Sequence, residues 1–257
     1  MLEHLRVTPG KPPRLAERDP RDTLGLEKEA GNEQRRDLTG RIDQLQYRLH
    51  AEGTRALLLV LQGLDASGKD GVIRRVFSGV NPQGIRVVAF KAPAGEELRH
   101  DYLWRIHRAL PERGTLGVFN RSHYEDIVTV RVRGLAPEEV WRARPAHVRE
   151  FERMLTDEGT AIVKVFLHVS KEEQAARLRE RLEDPLKRWK FRVDDLAVND
   201  RYDEFTAAYE EAIAETSTDW APWHVVPADR NWVKAYATAS LVVAALEELD
   251  PRLPSVS

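Results

Sequence analysis

Leu57-Leu58-Leu59-Val60-Leu61-Gln62-Gly63-Leu64-Asp65-Ala66-Ser67-Gly68-Lys69-Asp70-Gly71 is the stretch on which the fold turns. A continuous apolar run gives way to glycine, four residues, glycine and lysine, then to Val72, Ile73, Val76 and Phe77 at helical spacing. The order reads buried strand, phosphate loop, helix. A phosphate chain carries dense negative charge and is held best by many short hydrogen bonds from donors already in place. Gly63 and Gly68 permit positive φ, so the N–H groups of the loop, those of Ala66 and Ser67 included, can turn inward, and the following helix adds its partial positive end. Lys69 adds a full charge. Two acids depart from the usual form: Asp70 stands where Ser or Thr would hold magnesium, and Asp65 sits inside the loop, where it would repel phosphate. Both make sense if carboxylate holds a divalent ion there.

A chain of 257 residues can bury one sizeable α/β core with a small lid and an N-terminal extension. Forty basic residues stand against forty-two acidic, a net charge of −2, so nothing pulls the whole chain toward nucleic acid or a membrane. Any polyanion site has to be built by local segregation of charge. There is no cysteine, which excludes disulfides, thiolate metal sites and cysteine nucleophiles. No N-terminal apolar stretch resembles a signal peptide and no run approaches ~20 apolar residues, so a soluble cytoplasmic protein is expected.

Outward from the loop, residues 1–25 carry Pro9, Pro12, Pro13 and Pro20 among charges and few large apolar residues, and are expected to form an extended arm rather than core. Residues 26–257 are expected to form a single domain. Leu38, Ile42, Leu45 and Leu49 mark one apolar helical stripe over residues 27–50. Further strands are expected at 85–90, 115–119, 161–169 and 224–227, with helices at 96–110, 137–157, 201–215 and 232–249. Strands alternating with helices mean a parallel sheet of five strands reached by right-handed crossovers. Ligands of such sheets sit beyond the carboxyl ends of the strands, which gathers the 63–69 loop, Lys91 and residues 120–126 around one crevice.

Residues 177–192 hold seven basic side chains against three acidic and supply the local segregation the composition demands. Arg177 and Arg181, four apart, share a helix face, and Pro185 breaks that helix. The segment is expected to be a helical lid over about 177–200; a solvated charged face is the other reading. Arg121 lies just past a strand end, where phosphate-transfer enzymes of this architecture place an arginine against the migrating group. Glu125 and Asp126 follow, and with Asp65 they offer carboxylates that hard cations could bridge to phosphate oxygens. Asp126 as a helix N-cap is the plainer alternative. His123 is assigned no chemical role, and His100-Asp101 lacks the companion ligands of a metal-dependent phosphohydrolase.

Four segments taken together, 63–71, 120–126, 187–191 (Lys187-Arg188-Trp189-Lys190-Phe191) and 216–223 (Thr216-Ser217-Thr218-Asp219-Trp220-Ala221-Pro222-Trp223), resemble the polyphosphate kinase 2 family, in order, from about residue 30 to 250. The resemblance implies a three-layer P-loop kinase sandwich similar to thymidylate kinase, and reversible transfer of a terminal phosphoryl group between inorganic polyphosphate and a nucleotide with Mg2+ or Mn2+. It implies that Asp65 and Asp126 serve metal, and that Lys69 and Arg121 bind phosphate. Arg177, Arg181, Lys187 and Lys190 would clasp the donor chain. The His-Tyr-Glu-Asp form at 123–126 resembles the class III branch, which is associated with AMP and ADP as acceptors, with guanine nucleotides as the open alternative. In that branch Glu125 would contact the base amino group, with Asn120 and Arg121 also on the nucleotide. Asn120 stands where an acid often precedes the arginine, which shifts metal binding toward Asp126. Families of this kind tend toward homo-oligomers, dimers or tetramers.

Overall fold

The structure is a computed structural model and describes residues 2–184 and 199–255. Five strands, β1 (Ala56–Gln62), β2 (Ile85–Ala89), β3 (Leu116–Asn120), β4 (Thr160–His168) and β5 (Trp223–Pro227), form one sheet in the order β2-β3-β1-β4-β5. Every pairing is parallel. The apolar run that opens the phosphate motif is β1, and all seven of its residues are buried, as a central strand covered on both faces must be. β2 lies at the sheet edge and is largely exposed, which explains its admission of Arg86.

Helices cover both faces. In chain order they are α1 (Lys28–Glu52), α2 (Lys69–Val76), α3 (Trp104–Ala109), α4 (Glu125–Val132), α5 (Glu138–Asp157), α6 (Lys171–Glu183), α7 (Tyr202–Thr216) and α8 (Asn231–Leu249). α1 and α2 pack on α8, while α4, α5 and α7 pack together. The stripe predicted for α1 is present, with Ile42, Leu45 and Leu49 in the core. α1 approaches α8 so closely that a Cβ on Gly31 would lie 2.4 Å from the Trp232 ring. Only glycine fits there.

Two expectations need correction. The helix anticipated over 96–110 is divided into a 3-10 turn, Gly95–Arg99, and the short α3. Between them the Asp101 carboxylate accepts the Leu103 N–H at 2.9 Å, a side-chain turn that competes with helical bonding. The N-terminal arm, expected to be extended and to pack on the body or a neighbouring subunit rather than join the core, packs on the body and inserts Leu5, Val7 and Leu15 into the core. It is fastened to the sheet edge. Arg6 forms an isolated antiparallel bridge with His224, the Val7 N–H donates to the Trp223 carbonyl at 2.8 Å, and Ser217 Oγ donates back to the Val7 carbonyl at 2.8 Å. Lys187 and Lys190 of the anticipated lid lie outside the described residues. No helix among the described residues is long and apolar enough to cross a membrane.

His224 is partly buried where the arm meets β5, and its Nδ1–H donates to the Lys164 carbonyl at 3.3 Å. Burial pushes the ring down to about 4, with nearby Arg6 adding to the fall and Glu3 opposing it. Because the unfolded chain binds this proton at an ordinary histidine value, stability is full above about 6.5 and is lost as pH falls toward 4. The thermal midpoint of the wild type should therefore drop between pH 7 and 5 by roughly 4 °C more than that of His224→Gln, read by circular dichroism melts.

Candidate active site

β1 delivers the loop and α2 receives it. Gly63 at φ 146° and Gly68 at φ 98° bend the chain, and Ala66 sits between them at φ 62°, a left-handed conformation unusual for a side-chain-bearing residue. Space requires the glycines as much as torsion does: a Cβ on Gly63 would lie 2.8 Å from the Leu167 carbonyl oxygen, and one on Gly68 would lie 2.3 Å from Lys234 Nζ. Lys69 folds back over the loop, donating to the Gly63 carbonyl at 2.6 Å and the Leu64 carbonyl at 3.1 Å. Burial, with Arg121 nearby, pushes its ammonium down to about 8 despite the acids Asp65, Glu125 and Asp70.

β3 ends at Asn120, and the chain turns there into α4. Asn120 Nδ2 donates to Asp70 Oδ1 at 2.6 Å, which ties the strand end to the start of α2. Arg121 takes φ 64° and spans the crevice, its guanidinium donating to Asp65 and, at 3.1 Å, to Glu125 Oε2. Glu125 beside it, then Asp65, raise the arginine's pKa further, so it is a permanent cation. Burial opposes ionisation of Asp65, yet the charges of Arg121, Lys69 and Arg181 outweigh it and hold the carboxyl below its usual range. Arg181, on α6, adds positive charge that acts on Asp65. Asp65, Lys69, Arg121, Glu125 and Arg181 thus share one electrostatic environment, with Asn120 and Asp70 bonded at its border.

Asp126 faces elsewhere. Its carboxylate pairs with Arg105 of α3 at 3.1 Å, its carbonyl accepts from Arg144 at 2.5 Å, and Arg105 also donates to the Lys91 carbonyl at 2.7 Å. Burial pushes the Asp126 carboxyl up against the pull of Arg105. It is the second residue of α4 and makes no side-chain cap; Tyr124 holds the cap position, so the N-cap alternative falls away. The Lys91 side chain is exposed. Arg177, anticipated on a donor chain, is turned to the loop itself: it donates to the carbonyls of Ala66 at 3.1 Å, Ser67 at 3.2 Å and Ala228 at 2.9 Å.

Sequence reading missed Lys234, Arg105 and Arg144. Lys234 is fully buried in α8 and donates to the Ser67 carbonyl at 2.7 Å and the Ala228 carbonyl at 3.1 Å. Burial, then Arg177 and Arg75, push its ammonium down to about 7. A lone lysine inside Trp232-Val233-Lys234-Ala235-Tyr236-Ala237 was the available signal, since an apolar helix face buries whatever it carries.

Among the described residues no three acids or histidines converge into a closed metal cage. The donor chemistry instead fits an ion of the magnesium type, which keeps waters and takes one or two protein carboxylates plus phosphate oxygens. Asp65, at the loop, would be one such carboxylate; Asp126, anticipated as the other, is engaged by Arg105 and would have to leave that pair to join it.

A parallel sheet, a glycine loop opening a helix at the carboxyl end of its central strand, and an arginine with carboxylates at the next strand end define a P-loop phosphotransferase. The model of the family described as polyphosphate kinase 2 matches residues 25–254. The chain belongs to that family. It is 50% identical over 255 residues to an AMP/ADP-polyphosphate phosphotransferase of Meiothermus ruber, covering 98% of this chain and 96% of that one. It is 43% identical over 229 residues to an ADP-polyphosphate phosphotransferase of Rhodopseudomonas palustris, covering 84% and 79%. The crystal structure of polyphosphate kinase 2 from Arthrobacter aurescens TC1 is similar with a TM-score of 0.94 at 42% identity, covering 99% of this chain and 92% of that one.

Gly68→Ala should leave the circular dichroism spectrum intact and lower phosphotransfer turnover by at least about tenfold, because left-handed torsion at a residue with Cβ costs about 1–2 kcal/mol before the collision with Lys234 is added.

Proposed function

We propose that this protein moves the terminal phosphoryl group of inorganic polyphosphate onto AMP and onto ADP, reversibly, by direct in-line transfer without a phosphoenzyme. The observation that carries the reading is the ion-paired set of Asp65, Arg121 and Glu125 beside the loop that Lys69 folds over, with the charge of Arg181 acting on Asp65, in a chain half identical to the Meiothermus ruber enzyme over nearly its whole length. The donor chain lies between the 63–70 loop and the α6 lid, and the acceptor enters on the Asn120–Glu125 side.

Each side chain has a task in that reaction. N–H groups of Ala66 and Gly68 hold phosphate oxygens, joined by that of Ser67 once it leaves the Leu64 carbonyl, and Lys69 leaves the Gly63 and Leu64 carbonyls to follow them. Arg121 and Arg181 neutralise charge on the migrating group, a contribution that can reach about 10³ to 10⁵ in rate for one well-placed arginine. Glu125 accepts from the amino group of adenine. A divalent cation, Mg2+ or Mn2+, held by Asp65, and by Asp126 once that carboxylate leaves its pair with Arg105, would screen phosphate oxygens and bring donor and acceptor together. Closure of the lid excludes water, which would otherwise take the phosphoryl group.

The test is product analysis after incubating purified protein with AMP, ADP, GMP or GDP, long-chain polyphosphate and Mg2+ or Mn2+, without ATP. ADP and ATP are the expected products from the adenine acceptors. Lys69→Ala and Asp126→Asn should each lower turnover by at least about 10²-fold with the melt preserved. Product formed only when ATP is supplied as donor overturns the reading in favour of an ATP-dependent nucleoside monophosphate kinase.

A further inference from the structure

Behind the turn that carries Arg121 and Asp126 lies a charged cluster shut off from solvent. Lys164, on β4, and Glu152, on α5, are 0% and 1% exposed, and Lys164 Nζ donates to Glu152 Oε2 at 2.5 Å, Tyr124 Oη at 3.0 Å and the Thr216 carbonyl at 2.7 Å. All three ammonium hydrogens are used. The other Glu152 oxygen accepts from Tyr124 Oη at 2.8 Å and from His123 Nε2 at 3.2 Å. On the far side, Trp223 Nε1 donates to Thr216 Oγ1 at 2.9 Å and its ring meets that of Tyr124 edge to face, centroids 4.7 Å apart. Burial works against the Glu152 charge, but Lys164 and His123 hold the carboxyl below its usual range.

The cluster joins two of the four family-like segments, His123-Tyr124 and Thr216–Trp223. A buried ion pair is weak as a source of stability, since similar apolar side chains serve as well or better. Its geometry is another matter. Arg121 is held at φ 64°, a conformation that persists only where the surroundings over-determine it. Its N–H is fixed to the Leu61 carbonyl at 3.0 Å on one side, and two residues on the chain is locked by the side chains of His123 and Tyr124 on the other.

We infer that Glu152 and Lys164 are positioning residues for phosphoryl transfer, clamping His123 and Tyr124 so that Arg121 keeps its left-handed turn and spans Asp65 and Glu125. Loss of the clamp lets the turn relax toward ordinary torsion and carries the guanidinium off the migrating group. The inference rests on the proposed polyphosphate-to-nucleotide reaction for its assay. A displacement near 1 Å at a reacting group costs up to about 10²-fold in rate, so the effect belongs in kcat.

The experiment compares wild type, Tyr124→Phe and the double variant Glu152→Leu with Lys164→Met, in thermal melts and in steady-state assays varying polyphosphate and AMP. The apolar pair fills the same space without stranding a charge. Expected is a cooperative melt close to wild type, a kcat at least about tenfold lower, and KM values within about twofold for both substrates. Tyr124→Phe, which removes one hydroxyl, should lower kcat by about threefold or more. In an Arg121→Lys background that same change should cost little further, since both act through one side chain. Wild-type kcat in the folded double variant overturns the inference. If the double variant does not fold, Tyr124→Phe decides alone: a retained melt with reduced kcat supports the clamp, and unchanged kcat sinks it. Wild type that uses ATP and not polyphosphate refutes the proposed donor instead, and the variants are then compared in that reaction by the same criteria.

Discussion

Two cations, Lys234 fully buried and Arg177 partly so, set the phosphate loop in place by gripping its carbonyls. Arg177 donates to the Ala66 and Ser67 carbonyls, and Lys234 donates to Ser67 again. A peptide unit that turns its carbonyl one way turns its N–H the other, so the grip on the Ser67 carbonyl favours a Gly68 N–H directed away from those cations, while the Ser67 N–H closes the turn on the Leu64 carbonyl at 3.1 Å. Both cations also reach the Ala228 carbonyl, which couples the loop to the segment leaving β5. The loop is therefore a product of three distant stretches, β1 to α2, α6, and the start of α8, and its shape depends on all of them. The glycines supply permission; the cations supply direction.

Strand and helix order was legible because the central strand, 56–62, is an almost continuous apolar run and 160–168 is apolar but for Thr160, Lys164 and His168, with helices between. The crevice was legible too, through the rule that ligands lie beyond the carboxyl ends of parallel strands. What the sequence hid were contacts made by charged residues inside the fold. Arg105 pairs with Asp126, and Lys234 with backbone carbonyls, through tertiary geometry that no local spacing announces. Arg177 was expected on the donor chain because it shares a face with Arg181, yet Ala66 and Ser67 claim its guanidinium. The arm misled for the opposite reason: Leu5, Val7 and Leu15 are too sparse to look like core, although three anchors suffice when their neighbours bond to the sheet edge.

Charge is treated differently on the two sides of the 120–126 turn. Toward the crevice, Arg121 and its carboxylates keep partial exposure and alternative partners, so they can exchange one ion for another as phosphate arrives. Away from it, Lys164, Glu152 and Tyr124 are fully enclosed and mutually satisfied. A cluster of that kind resists repacking, because moving any member strands a charge in a medium unable to solvate it. Adaptable electrostatics in front are thus backed by fixed electrostatics behind.

The fastening of the N-terminal arm has a bearing on how the chain is made. Ser217 and Val7 are 210 residues apart, and the antiparallel bridge of Arg6 with His224 is of similar span. During synthesis Leu5 and Val7 leave the ribosome long before their receptor exists, and the edge they cover is among the last parts of the sheet to appear. Closing so long a loop is costly in entropy until the intervening chain has compacted. The arm accordingly docks late, as a latch thrown on a nearly finished body, and until then β5 presents an uncovered border to the crowded cell.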